Sequence, residues 1–297
     1  MSIHFKTIYL EQNQGHGNAR RISLQNCSND LVALMDADDI SMHNRFEKQL
    51  AVFHAHPEVD IVGGQITEFI DKPENIVGRR VVPEHDDDIE KFMKKRCPMN
   101  QVSVMFKKES IERAGGYQDW FCEEDYYLWI RLALINGIFA NVPDDIVNVR
   151  IGDAMSARRG GLKYFKSEAK LQQYMLKKHM IGYSQYMYNV LLRFAGEVLL
   201  PNRLRTLMFK YMREEYNSDK KCMKSDSSVH EAVKHPEYSL FSVAMCVYGG
   251  DNPDWFDTAF LSIVDQTMQP NEIVLVVDGP IPDKVTLVIE KYRKLLN

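Results

Sequence analysis

The sequence has few features of a cross-linked, membrane-spanning or nucleic-acid-binding chain. Its five cysteines (Cys27, Cys97, Cys122, Cys222 and Cys246) are scattered, odd in number and without a C-x-x-C pair. That argues against a disulfide framework or a zinc site and favours a reducing compartment. There is no excess of positive charge: 37 Lys and Arg against 41 Asp and Glu leave a net charge of −4. A general nucleic-acid binder is therefore not expected. No apolar run reaches the roughly 18 residues that span a bilayer, and Met1-Ser2-Ile3-His4-Phe5-Lys6 lacks the shape of a secretion signal. A cytoplasmic protein is expected. An obvious Gly-rich triphosphate loop is also missing, which weighs against a nucleotidyltransferase.

What the chain does have is Leu31-Val32-Ala33-Leu34-Met35-Asp36-Ala37-Asp38-Asp39-Ile40, an apolar run that stops at three carboxylates. Such a run reads as a strand buried on both faces of a parallel sheet. Ligands of open α/β sheets bind beyond the carboxyl ends of the strands. In extended chain Asp36 and Asp38 point to one side. Hard oxygen ligands of this kind suit Mg²⁺ or Mn²⁺ carrying a phosphate. An acidic turn after a core strand is the competing reading.

Around that stretch the order is regular. Ile3–Leu10 reads as a strand. Asn13-Gln14-Gly15-His16-Gly17-Asn18-Ala19-Arg20-Arg21 follows as a glycine loop entering a helix, able to approach a phosphate and offer backbone N–H groups. Arg20 adds a fixed positive charge. A helix carries Phe46, Leu50 and Phe53, and His54 and His56 near its end read as surface residues. Val59–Gly64 is a strand. Residues 71–93, with Pro73, Pro83 and Asp86-Asp87-Asp88, read as a solvated excursion. Gln101–Phe106 is β-like and Gly115-Gly116-Tyr117 is a turn. A second acidic cluster, Glu123-Glu124-Asp125, opens a helix that should be capped at Gly137; those acids could equally be favourable charge at a helix start.

After Arg150 the texture changes. Residues 161–214 read as a helical appendage and 215–237 as a linker. Arg193, Arg203, Arg205, Lys210 and Arg213 interleave with apolar residues, so 186–214 either packs on the domain or lies on an anionic membrane surface. Strand patterns then resume at Leu240–Tyr248 and Glu272–Asp278. Asn252-Pro253 begins a helix between them, and Asp283 begins the last one.

Together these motifs resemble the family 2 glycosyltransferases of the GT-A fold, inverting nucleotide-sugar enzymes of bacterial polysaccharide synthesis, with the amylovoran and capsule type as the nearest subgroup. The resemblance covers residues 3–160 and 238–297. It implies one GT-A catalytic domain made of 1–160 and 238–297 together: an α/β, Rossmann-like fold around a mostly parallel central sheet. The order differs from the family's. In such enzymes a strand like Phe241–Tyr248, a helix like Asn252–Thr267 and a strand ending in Asp-Gly come first. A circular permutation is the expected explanation; a piece of a tandem chain, or a domain-swapped dimer, is the alternative. In each case the final segment should lie beside Leu31–Asp36.

The resemblance also implies roles. Asp278 and Tyr248 would meet the nucleotide base, Arg20 the diphosphate, and Asn13 would order its loop. Asp36 would reach the ribose or a metal-bound water, and Asp38 would hold Mn²⁺ or Mg²⁺. Asp125 would be the general base, with Glu124 orienting it or binding acceptor. Arg158 and Arg159 are either a clamp over the diphosphate or surface charge. The implied donor is a nucleotide sugar, UDP-linked by preference, and the acceptor a saccharide or lipid-linked saccharide. Where many relatives have His before a strand, this chain has Asn100-Gln101, and the strand at Asp278 lacks a doubled Asp. A noncatalytic nucleotide- or glycan-binding scaffold is the other functional expectation.

Overall fold

The computed structural model of the chain describes residues 3–152, 161–199 and 240–296. The linker assigned to 215–237, the part of the appendage beyond 199, and Arg158 and Arg159 lie outside them. The strands are β1 (His4–Tyr9), β2 (Leu31–Asp36), β3 (Ile40–Ser41), β4 (Ile61–Phe69), β5 (Ile76–Arg80), β6 (Met105–Lys107), β7 (Phe139–Arg150), β8 (Phe241–Tyr248) and β9 (Glu272–Asp278). They form one sheet in the order β1-β9-β8-β2-β6-β4-β7-β3, with β5 on β4. The long pairings, β1–β9, β9–β8, β8–β2 and β4–β7, are parallel, whereas those of β6, β5 and β3 are short and antiparallel.

The final segment lies inside the sheet. Strand β8 runs along β2 from Leu31↔Phe241 to Asp36↔Cys246, and β9 fills the space between β8 and β1. The expected juxtaposition is therefore present in the fold.

Alternation along the strands explains the double-sided burial. Leu31, Ala33 and Met35 join one hydrophobic cluster with Val243, Met245, Ile273 and Leu275. Val32, Leu34, Ala244 and Val274 join the other. Helices α2 (Arg45–Ala55), α8 (Pro253–Val264) and α9 (Asp283–Leu296) cover the first face. Helices α1 (His16–Asn26), α4 (Lys108–Arg113), α5 (Glu124–Ala133) and α6 (Leu162–Lys177) contribute Leu24, Ile111, Trp129 and Leu171 to the second. In the final segment Val274, Leu275, Val276, Phe256, Phe260 and Ile263 are all 0% exposed. At roughly 1.5–3 kcal/mol for each side chain of this size, their gross contribution is on the order of 10 kcal/mol before chain entropy.

Polar contacts also join the two ends of the chain. Glu272 accepts from the Ser28 amide (2.8 Å), the Ser28 hydroxyl (2.9 Å) and the Ser242 hydroxyl (2.5 Å). Gln266 donates to the Met42 carbonyl (2.8 Å) and to the Ser41 hydroxyl (3.3 Å), and the Ser41 amide donates to Ser262 Oγ at 3.0 Å.

Three local expectations need correction. Residues 71–93 are not merely a solvated excursion: β5 pairs with β4, and helix α3 (Asp86–Met93) buries Ile89 and Met93 while its three aspartates occupy the favourable first turn. Asp36 is the last strand residue and Asp38 lies in the turn beyond it, so the two do not share an extended segment. At the end of α5 the left-handed residue is Asn136 (φ 59°), with the Gly137 amide closing onto the Leu132 carbonyl at 3.0 Å. The expected Asn252 cap is present: its side chain accepts from the amides of Asp254 (2.9 Å) and Trp255 (3.3 Å), with Pro253 in the first turn.

The appendage consists of α6 and α7 (Tyr183–Phe194), the latter running into a short π-helical turn at Ala195–Leu199. It is docked rather than separate, since Leu171, Met175 and Ile181 are buried in the second cluster. Among the described residues no helix is long and apolar enough to cross a membrane.

Candidate active site

The candidate residues collect beyond the carboxyl ends of β9, β8 and β2. Helix α1 lies on one face of the sheet and α8 and α9 on the other, so the β8–β2 boundary is where neighbouring connections diverge, the usual place for a ligand in an open α/β sheet.

At β9, Asp278 is 5% exposed. Its two carboxylate oxygens accept from the amides of Gln14 (2.7 Å) and Gly15 (3.0 Å). Asn13 closes the same turn by accepting from Gly15 (3.1 Å) and donating to the Asp278 carbonyl (3.4 Å). These two loop amides, expected to offer themselves to a phosphate, therefore meet Asp278 instead. A carboxylate has about four acceptor positions, so the contacts leave Asp278 capacity for another donor. Gly279 (φ +85°) allows the approach: a Cβ there would sit 2.6 Å from the Asn13 nitrogen.

At β8, Tyr248 is 41% exposed and meets the His16 ring edge-on at 6.2 Å. Cys246 stands in register with Asp36. Burial pushes its thiol up to about 12, so it is not a thiolate nucleophile at neutral pH.

At β2 the acids and Arg20 form a bridge. Arg20 donates to Asp36 at 2.9 and 3.3 Å and to Glu124 at 3.3 Å. Burial works against its charge, but Asp36, Tyr117 and Glu124 outweigh that and hold its pKa above the ordinary arginine value. Burial, then the charge of Asp125, raises Glu124 above the ordinary carboxylate value, with Arg20 opposing. One guanidinium thus ties the strand end to the start of α5, where Asp125 adjoins Glu124. Asn13, Arg20, Asp36, Glu124 and Asp278 are joined through two contact networks, while Tyr248 lies at the rim of the α1 loop.

Asp38 follows in the turn. Its carbonyl accepts from Arg150 Nε at 3.2 Å, and Asp39 accepts from the Arg150 amide at 2.8 Å. The Arg150 guanidinium lies between the rings of Phe69 (4.5 Å) and Trp255 (4.3 Å). Burial first, then Asp38 and Asp36, raises Asp39 well above the carboxylate range.

Sequence reasoning missed Asp251 in this setting. It accepts from the Tyr248 amide at 2.9 Å. Burial pushes its carboxyl up to about 7 against that hydrogen bond, with Asp38 and Asp36 adding to the rise. Tyr117, whose hydroxyl accepts from Gln101 Nε2 at 3.0 Å, was also missed as a site residue. Only its place in the glycine turn could have suggested it.

Among the described residues no three His, Cys, Asp or Glu side chains are placed to enclose a metal. The crowded carboxylates Asp36, Asp38 and Asp251 nevertheless offer the hard-oxygen chemistry suited to Mg²⁺ or Mn²⁺, which usually takes one or two carboxylates together with substrate phosphates and water.

This α/β architecture gathers acids at the ends of neighbouring parallel strands, where an open α/β sheet holds its ligand. Residues 1–115 match glycosyl transferase family 2. Over 209 residues the chain is 39% identical to an uncharacterized glycosyltransferase of Haemophilus influenzae, covering 70% of this chain and 78% of that protein. It is 34% identical to the amylovoran biosynthesis glycosyltransferase AmsE of Erwinia amylovora over 72% of this chain and 77% of that protein. A UDP-Gal:alpha-D-GlcNAc-diphosphoundecaprenol beta-1,3-galactosyltransferase of Escherichia coli is 35% identical over 70% of this chain and 75% of its own length. The chain belongs to glycosyl transferase family 2 and is a glycosyltransferase of the GT-A class.

Proposed function

We propose that this glycosyltransferase moves a sugar, with inversion, from a nucleoside-diphosphate sugar to an acceptor hydroxyl in bacterial surface-polysaccharide synthesis. The donor is UDP-linked and the acceptor a saccharide or lipid-linked saccharide. The observation that carries this reading is the Asp36–Arg20–Glu124 bridge, which joins the expected nucleotide end to the expected acid end. The donor and acceptor in the name of the Escherichia coli relative support the choice of substrates.

In this reading Tyr248 and Asp278 contact the base, Asp36 the ribose, and Arg20 swings or leans toward the diphosphate from its bridge. Asn13 keeps the loop in place. Asp125 accepts the proton of the acceptor hydroxyl while that oxygen attacks the anomeric carbon; the bond to the diphosphate breaks and the diphosphate leaves with its electron pair. Glu124 orients Asp125 or the acceptor. Asp38, with Asp36 through water, would hold Mn²⁺ or Mg²⁺, which supplies positive charge for the leaving diphosphate. Asp125→Asn should abolish transfer while sparing donor binding, whereas Asp38→Ala should abolish metal-dependent transfer. Normal transfer by Asp125→Asn would overturn the base assignment. Calorimetry showing tight donor binding without turnover on any acceptor would favour a noncatalytic scaffold.

The position of β8 and β9 supports a circular permutation of the family order; sedimentation showing only a dimer would favour domain swapping. Helix α7 exposes Tyr183, Tyr188, Leu191 and Leu192 by 58–69%, which supports peripheral membrane contact by the 186–214 region. Arg193 is less suited to a lipid-facing role, because it pairs with Glu168 at 2.9 Å. Failure to float with anionic liposomes would remove the membrane reading.

A further inference from the structure

Beside the start of α5 lies a cleft of about 400 Å³ lined by Asp119, Trp120, Phe121, Ser167 and three lysines, Lys163, Lys166 and Lys170. Its volume falls within the ordinary range of ligand pockets. Lys163, Lys166 and Lys170 recur at spacings of three and four along α6, so one helix face presents them together. Among the described residues none of the three is in an ion pair with a carboxylate. Instead Lys163 lies 3.9 Å from the centre of the Phe121 ring and Lys170 lies 4.5 Å from that of Trp120. Exposed cation–π contacts are weak, whereas hydrogen bonds from ammonium groups to phosphate are charge-assisted. A phosphate entering the cleft would therefore draw the lysines off the rings. Phe121, 42% exposed, would then offer an apolar face to a sugar.

The cleft is fixed to the acids. Ser167 Oγ donates to the Phe121 carbonyl at 2.6 Å, and Trp120 Nε1 donates to the Ser167 carbonyl at 3.4 Å. Tyr164 donates to Glu123 at 2.8 Å, immediately before Glu124 and Asp125.

We propose that the cleft formed by Trp120, Phe121 and the three α6 lysines binds the diphosphate end of a saccharide-diphosphate acceptor and directs its sugar toward Asp125. The proposal rests on the transferase reading above and specifies its acceptor. In the transferase reading the donor's phosphates lie at Arg20 and at a metal ion that Asp38 would hold, so the cleft would give the second substrate a separate anion site.

The test is calorimetry on the full chain with three probes: inorganic pyrophosphate, a short-alkyl GlcNAc diphosphate and the matching alkyl GlcNAc without phosphate. Wild type should bind the sugar diphosphate about tenfold or more tightly than either other probe, as expected for combined charge and ring contact. Lys163→Ala/Lys166→Ala/Lys170→Ala should remove that advantage while UDP-sugar binding with Mn²⁺ stays unchanged. If the triple variant does not fold, Lys166→Ala alone should weaken the sugar diphosphate several-fold. Equal binding by wild type and variant, absence of binding to the sugar diphosphate, or equally tight binding of pyrophosphate would overturn the proposal. Loss of nucleotide-sugar binding by wild type would instead count against the transferase reading, because acceptor-probe binding is measured without donor.

Discussion

Replacing Gly279 with alanine tests the closest approach between the two ends of the chain. Gly279 has φ +85°, and its added Cβ would stand 2.6 Å from the Asn13 nitrogen and 3.1 Å from the Gln12 carbonyl carbon. The neighbours are backbone, so no side chain can turn aside. Left-handed backbone costs an L-residue about 1–2 kcal/mol, and forced overpacking adds about 1–3 kcal/mol. The expected loss is on the order of 3 kcal/mol, equivalent to a melting point lower by roughly 6–12 °C for a domain of this general size. Gly116→Ala separates the two causes, since Gly116 has φ +63° but its Cβ would meet nothing within 4 Å. Gly152→Ala, also in open space and without positive φ, should be close to neutral. Thermal and urea unfolding followed by circular dichroism should therefore rank Gly279→Ala well below Gly116→Ala, with Gly152→Ala near wild type. Equal losses at Gly279 and Gly116 would refute the close backbone approach and with it the seating of β9 against the Asn13 loop.

The pH dependence should divide two carboxyls by sign, measured by urea unfolding without metal. Burial pushes Glu272 upward, but hydrogen bonds from Ser242 and Ser28 reverse this and leave it below its ordinary value of 4.5. Its stabilisation is therefore present above pH 4.5 and lost as pH falls further; Glu272→Gln should be less stable than wild type at neutral pH and the gap should narrow in acid. Asp251 is raised from 3.8 to about 7, so its contribution is full below 3.8 and lost as pH rises through 7. Asp251→Asn should consequently gain on wild type between those limits; the opposite trend at either residue would contradict its assigned surroundings.

The sequence made some parts of this fold plain because their information is local. The runs in β2, β8 and β9 carry their burial on both faces without a gap, and Asn252-Pro253 carries its own cap. The excursion at 71–93 was misread because charge and proline outweighed a pattern that was present: Ile89 and Met93 recur at helical spacing behind three first-turn aspartates. Asn136 holds the left-handed position expected at Gly137, and Gly137 is instead needed for close passage by Leu132, where a Cβ would stand 2.5 Å from its side chain.

The site was legible by residue type and obscure in its pairings. Arg20, Asp36 and Glu124 were each identifiable as charge near a strand or helix end. Their bridge spans 104 residues between Arg20 and Glu124, and no spacing within either segment specifies it. Arg150 shows the same limit more strongly. It ends β7, supports the Asp38–Asp39 turn and stands between Phe69 and Trp255, residues from three separate parts of the chain. Burial lowers its pKa while Asp38 and Asp39 oppose that change; the aromatic faces and carboxylates together let the guanidinium remain charged in a partly dry position. A local pattern can announce that Asp38 follows a strand, but the direction of its turn depends on an arginine and two rings that only the assembled sheet brings together.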